Sequence, residues 1–268
     1  MVTSGYLNVN GYGTGASKKL YGTSPVSSNF KTSGNYRVSG ADSFQYSKDS
    51  LHYYFTEDYL NEALATNPEI KRILTEKGIK PEINMQNLRH IQTNHSVDTQ
   101  EIAKGIIKHM PKSEQYQIDT AAVSKACYLH DIGKVFIPDE ILNKPAMLDS
   151  YEYEIMKSHS ELGYEILKNS SLDEKTKELV KYHHQNRLGS GYPVADVDLS
   201  DDINLQILNA ADKYSALTEE RSYKSAMSPQ QALGIIYADV QKNKLHPAVF
   251  RGLAAHLRET HKLVEQHS

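Results

Sequence analysis

Leu129-His130-Asp131-Ile132-Gly133-Lys134 sets an imidazole and a carboxylate side by side at the end of an apolar helical stripe. Val123, Ala126 and Cys127 lead into it, with His130 and Asp131 three and four residues beyond Cys127. A polar group on a buried helix face needs a partner, because burying it without a hydrogen bond or counter-charge is costly. The same pattern recurs along the chain. His95 follows Ile91 by four, and His159 follows Met156 by three and precedes Leu162 by three. His183 and His184 follow Leu179 and Val180 by four, and Asp212 follows Leu208 by four. Taken singly, each histidine reads as a core residue bonded to backbone; as a set, they read as a metal centre. Buried cations would satisfy all seven groups together, and nitrogen and oxygen ligands without thiolate suit divalent Mn, Fe, Co, Ni or Zn. One bridging carboxylate fits the count: His95, His130, Asp131 and Asp212 on one ion, and Asp131, His159, His183 and His184 on the other.

The scaffold around these residues reads as all-α. Thr56 can cap a helix opening Glu57-Asp58, Asn67-Pro68 is a cap followed by proline in the first turn, and Gly78 and Pro81 punctuate before the next helix. From Asn84, Leu88, Ile91, His95, Ile102 and Ile106 fall close to one face. Further helices are expected near 120–130, 150–168, 173–184, 203–219, 229–242 and 247–265. Strand-type alternation is scarce, and no fixed-period repeat stands out. Two loops of unusual composition lie between helices, Ile137–Pro145 and Asn186–Pro193, where substrate contacts are usually placed. Residues 1–48, rich in Ser, Gly, Asn and Tyr, read as a disordered tail, 49–85 as a short helical preface and 86–268 as the main domain. The tail's tyrosines, Tyr6, Tyr12, Tyr21, Tyr36 and Tyr46, could serve as weak stickers for a protein partner or for self-association, although an unselected flexible leader is the simpler reading.

Composition bounds the function. The 268 residues are 39% hydrophobic and 24% charged, ordinary for a soluble globular chain, and the net charge of −3 supplies no broad cationic field for polymeric nucleic acid. Cys127 is the sole cysteine, which excludes an internal disulfide and agrees with a reducing compartment; it is expected in the core. Neither a secretory leader nor a stretch approaching the roughly 20 apolar residues of a membrane span is evident. A cytoplasmic location is the expectation. His52, His109, His246, His256, His261 and His267 lack a carboxylate at ligand spacing and read as surface or capping residues. His90 lies about 140° around the helix from His95 and is expected to face elsewhere.

His95-Ser96, His130-Asp131 and Asp212 are similar to the signature of the HD superfamily of metal-dependent phosphohydrolases. The more specific resemblance is to its HD-GYP subfamily. Leu129 to Lys134, Ile137-Pro138, Lys144-Pro145, Met156-Lys157-Ser158-His159, His183-His184 and Gly189-Ser190-Gly191-Tyr192-Pro193 occur in that subfamily's order, over residues 88 to 233. The resemblance implies an HD-domain helical bundle with an added GYP-type loop and C-terminal helices. It implies a phosphodiesterase that opens cyclic di-GMP to linear pGpG, and in a further step GMP, with a metal-activated water at two divalent transition-metal ions, Fe or Mn foremost. Its metal ligands would be His95, His130, Asp131, His159, His183, His184 and Asp212, with Asp131 and Lys134 in the catalytic roles. Lys134 would meet the scissile phosphate, Arg221 and Lys224 would hold substrate phosphate, and Gly189, Gly191 and Tyr192 would shape the pocket wall. Tyr192 suits stacking on guanine or packing equally well.

The chain departs from the subfamily at four positions. Ile91 stands where some members carry a glutamate for a third ion, so two ions are implied. Gln185 replaces the glutamate after the paired histidines, Leu188 the aspartate before Gly189, and Ser215 a second aspartate beyond Asp212. These departures leave open another nucleotide, such as cyclic GMP-AMP, or a non-hydrolysing cyclic-dinucleotide sensor. Helical hydrolases of this kind often pair, so a homodimer belongs among the expectations.

Overall fold

Seven helices of the bundle start where the sequence supplies a side chain for their unpaired amide groups. The computed structural model describes residues 44–46, 53–87, 95–220 and 225–265, excepting the side chains of 44–46, 53–55 and 261–265. Thr56 accepts from Tyr59 N to open α1 (Glu57–Thr66), and Asn67 accepts from Glu69 N to open α2 (Pro68–Glu76). After α3 (His95–His109) and the short α4 (Lys112–Gln115), Asp119 caps α5 (Thr120–Leu129). A 3₁₀ turn over Ile132–Phe136 leads to α6 (Asp139–Leu142). Asp149 and Glu152 form a capping box on α7 (Ser150–Leu167), Asp173 caps α8 (Glu174–Tyr182), and Asp202 caps α9 (Ile203–Thr218). Ser228 and Gln231 form a second box on α10 (Pro229–Gln241), and α11 (Pro247–Glu265) ends the described chain. The expected all-α class is what the structure has, and the observed helix ends lie within two residues of those read from the sequence between Thr120 and Glu265.

The N-terminal part departs from expectation. The last residues of the stretch read as a disordered tail include β1 (Phe44–Tyr46), which pairs antiparallel with β2 (Tyr53–Phe55) inside the supposed helical preface. The register sets Phe44 opposite Phe55 and Tyr46 opposite Tyr53, and aromatic residues favour a pleated ribbon where aliphatic periodicity is absent. The long helix expected from Asn84 is described only in part: Asn84 accepts from Gln86 N and Asn87 N at its start, and α3 begins at His95, while Leu88 to Asn94, with His90 and Ile91, lie outside the described residues.

The core is one apolar cluster shared by the whole bundle. Central α3 packs against α5, α9 and α11, with Ile106, Leu129, Leu208 and Leu253 fully buried among them. Cys127 is in this core as expected, and burial pushes its thiol pKa up. Helices α1 and α2 pack on α7, where Tyr59 OH donates to Ile166 O at 2.9 Å and Asn67 Nδ2 to Glu165 O at 3.0 Å. The 3₁₀ turn lies against α7 so closely that a Cβ on Gly133 would come within 1.9 Å of His159 O. That contact ties the His130-Asp131 pair to the helix carrying His159. No helix among the described residues is long and apolar enough to cross a membrane.

Candidate metal centre

Three helix ends and one helix interior deliver the five imidazoles. His95 opens α3, His130 caps the end of α5, and His183 does the same for α8 with His184 next to it, whereas His159 sits inside α7. Asp131 follows His130 at the entry to the 3₁₀ turn, and Asp212 comes from within α9. The seven residues named from the sequence are brought together. Six are buried, and the His184 side chain is 26% exposed.

Backbone carbonyls fix three of the rings. His130 Nδ1 donates to Cys127 O at 2.8 Å, His159 Nδ1 to Met156 O at 2.6 Å, and His183 Nδ1 to Val180 O at 2.7 Å. In each case the acceptor lies three residues back, where the helix end or a rotated ring can reach it. The neutral form then carries its lone pair on Nε2, facing the centre. His159 Nε2 lies 3.1 Å from His183 Nε2 and 3.2 Å from His184 Nε2. Lone pairs aimed at each other across such a gap repel unless a cation or a proton lies between them. His130 Nε2 is fully buried and has no hydrogen-bond partner.

The carboxylates face the same space. Asp131 Oδ1 is 3.4 Å from His159 Nε2, and its Oδ2 is 3.4 Å from His130 Nε2 and 3.9 Å from His95 Nε2. Asp212 Oδ1 is 3.0 Å from His95 Nε2 and 3.7 Å from His130 Nε2, with Oδ2 4.0 Å from His184 Nδ1. Three triads have ligand atoms within 4.8 Å of one another: His95, His130 and Asp212; His159, His183 and His184; and His130, Asp131 and His183. The orphaned nitrogen, the opposed lone pairs and the nitrogen–oxygen donor set all fit divalent cations.

Electrostatics sorts the rings. Burial holds His159 neutral, with further help from His184 and Lys134, and its pKa falls to about 3 despite Asp131. Burial lowers His183 as well, reinforced by His184, His130 and His159. His130 differs: burial opposes its charge, but Asp131 and Asp212 outweigh that and push it up to about 10. Both carboxylates overcome burial and are held well below the usual range, Asp131 by Lys134, His130 and His159, and Asp212 by the neighbouring imidazoles of His130 and His95.

Around the centre, the structure adds contacts that sequence spacing could not supply. Ser215 Oγ lies 3.0 Å from His95 Nδ1, one turn beyond Asp212 on the same helix, and Glu219 Oε2 is 3.8 Å from that nitrogen. Lys134 Nζ donates to Asp131 Oδ2 at 2.7 Å, so the lysine read as a phosphate contact stands on the carboxylate, its nearest opposite charge. Arg221 and Lys224 lie outside the described residues. Tyr192 forms an isolated antiparallel bridge with His184, ring centroids 4.5 Å apart. Gln185, 1% exposed, accepts from Gly191 N at 3.0 Å and donates through Nε2 to Pro193 O, holding the backbone on either side of Tyr192. A Cβ on Gly191 would stand 2.0 Å from His184 O, which explains the glycine there, whereas Gly189, at φ 63°, has open space and serves the turn. Of the histidines set aside, His109 donates Nδ1–H to Gly105 O at 2.8 Å and pairs with Glu259, a surface role as expected.

A helical bundle with this cluster of histidines and aspartates at its centre has the form of a metal-binding HD domain. The HD-domain family model matches residues 79–249, and the chain belongs to that family. The 3'3'-cGAMP-specific phosphodiesterase 2 of Vibrio cholerae is 43% identical over 113 residues, covering 41% of this chain and 21% of that protein. A cyclic di-GMP phosphodiesterase of Thermotoga maritima is 33% identical over 183 residues, 67% of this chain and 45% of that one. A further cyclic di-GMP phosphodiesterase, also from Vibrio cholerae, is 29% identical over 241 residues, 78% of this chain and 49% of that one. The chain thus spans less than half the length of each, and the motifs it shares with the HD-GYP subfamily accord with these relatives.

Proposed function

We infer that the protein is a metal-dependent phosphodiesterase of cyclic dinucleotides, with cyclic di-GMP as the leading substrate, and that it acts in the cytoplasm. The observation that carries this reading is the convergence of imidazole Nε2 atoms with Asp131 between them. Two divalent ions, Fe or Mn foremost and Zn, Co or Ni as the other candidates, would be held by His95, His130, Asp131 and Asp212, and by Asp131, His159, His183 and His184. Bound there, such ions supply Lewis-acid polarisation of the phosphate and a nucleophilic water at neutral pH.

The chain's own groups supply the rest. Asp131 stays anionic in the core because Lys134 and the imidazoles surround it, which suits it to a bridging position. Lys134, 17% exposed at its side chain, can turn from Asp131 to charge developing on a non-bridging oxygen. Ser215 orients His95, and the carbonyls of Cys127, Met156 and Val180 orient three further rings, so little reorganisation is needed when substrate arrives. Tyr192 walls the His184 side, and Arg221 and Lys224 are assigned to the remaining phosphate charge. Residues 86–268 are taken as the catalytic unit, which a homodimer would present twice, and the N-terminal stretch as the segment for a protein partner.

The 43% identity to a 3'3'-cGAMP phosphodiesterase favours cyclic GMP-AMP as a second substrate. The test is turnover of cyclic di-GMP, 3'3'-cGAMP and cyclic di-AMP by purified protein of verified metal content. Linear dinucleotide from the first or second is expected. Intact nucleotide in all three arms, with the metal still bound, contradicts the reading.

A further inference from the structure

We propose that Tyr153 and Lys157, on α7, form with Tyr192 a purine-nucleotide subsite at the rim of the histidine centre. The inference deepens the proposed function and takes its substrate class from that reading. Tyr192 is held at the centre by the Gln185 clamp, its ring centroid 4.5 Å from His184 and 6.4 Å from His159. The Tyr153 ring stands beyond it, centroid 6.3 Å away and planes at 82°. Perpendicular rings leave no slot for a base between them, but together they offer a face and an edge to one that lies across them. Tyr153 keeps 43% of its surface exposed.

Lys157 lies one helical turn after Tyr153, which brings the two side chains to one face. Its ammonium is 5.4 Å from the Tyr153 ring centroid and 5.9 Å from that of Tyr192, a cation poised over both rings. Lys157 also pairs with Glu154, whose side chain is 51% exposed. An ion pair that open to solvent is weak, so an anionic ligand can take the carboxylate's place. A nucleotide whose phosphate lies at the imidazoles extends its sugar and base outward past Tyr192, where these two residues stand. Aromatic faces bind any base, and the larger purine gains more from them. A lone exposed tyrosine on a helix would mean nothing; here two rings and a cation meet beside the candidate centre.

The probes are GMP and inorganic phosphate, titrated calorimetrically into the metal-loaded full chain. Tyr153→Ala should weaken GMP about fivefold or more, change phosphate binding by less than about twofold, and shift KM rather than kcat wherever turnover is measured. Tyr153→Phe, which keeps the ring, should restore GMP binding, and Lys157→Met should weaken it more at low salt than at high salt. Wild-type protein that binds no GMP overturns the subsite. So does Tyr153→Ala binding GMP like wild type, or losing phosphate and GMP alike. Tyr153-dependent GMP binding without turnover of any cyclic dinucleotide removes the proposed function and leaves the subsite standing.

Discussion

The histidine centre and the rim beside it are fixed by different means. In the centre, each ring of His130, His159 and His183 is set by a carbonyl three residues back in its own chain. At the rim, Tyr192 owes its place to Gln185, a neighbour that grips the loop's backbone at Gly191 and Pro193. Local bonding makes the centre tolerant of changes elsewhere, while the rim depends on the backbone bridge to His184 and on one amide that both donates and accepts. Binding of metal and recognition of substrate are therefore separable by mutation.

The strongest challenge to that separation is Asp131→Ala, which removes the carboxylate facing His95, His130 and His159. Activity should fall about a thousandfold or more, the scale of several kcal/mol of lost charge stabilisation, and steady-state kinetics at fixed metal would measure it. Gly191→Ala attacks the rim instead. Its Cβ would collide with His184 O, so the loop must move, and a displacement of about 1 Å can cost on the order of 100-fold in rate. If metal content fell as steeply as kcat/KM in that variant, centre and rim would not be separable.

Ser215→Ala tests how far the centre leans on neighbours. Losing the hydroxyl beside His95 Nδ1 should weaken metal affinity roughly 10-fold, at the lower end for groups that orient ligands, read by competition with a chelator. Ser215→Asp should recover the affinity.

A different kind of effect is expected on the pH dependence of stability without metal. His159 has its pKa lowered from 6.5 to about 3, so the unfolded chain binds the extra proton and stability falls as pH drops from about 6.5 toward 3. His130, raised to about 10, acts oppositely: its contribution is complete below 6.5 and is lost as pH climbs through about 10. Denaturant midpoints in chelator should decline at both ends, and a midpoint flat between pH 4 and 7 would contradict the neutral assignment of His159.

The seven centre residues were legible because a polar group on an apolar helix face breaks a regular pattern, and the adjacent pairs His130-Asp131 and His183-His184 break it twice. The helices were legible from apolar periodicity and, for the first two, from the caps Thr56 and Asn67. What escaped depends on contacts between distant segments. Ser215 and Gln185 stood out in sequence only as unusual residues at their positions, and neither spacing nor type revealed that one would meet His95 and the other the loop. Lys134 was read toward phosphate, and its bond to Asp131 was not read at all. The β1–β2 pair escaped because three-residue strands hold too few residues for alternation to show.

Metal stoichiometry tests the central claim most directly. Protein stripped with chelator, reloaded and freed of excess ion should retain about two ions per chain, and Asp131→Ala, folded by circular dichroism, should retain fewer. A folded wild-type chain that keeps none, or an Asp131→Ala variant that keeps as many as wild type, would contradict a cation-binding centre built around that carboxylate.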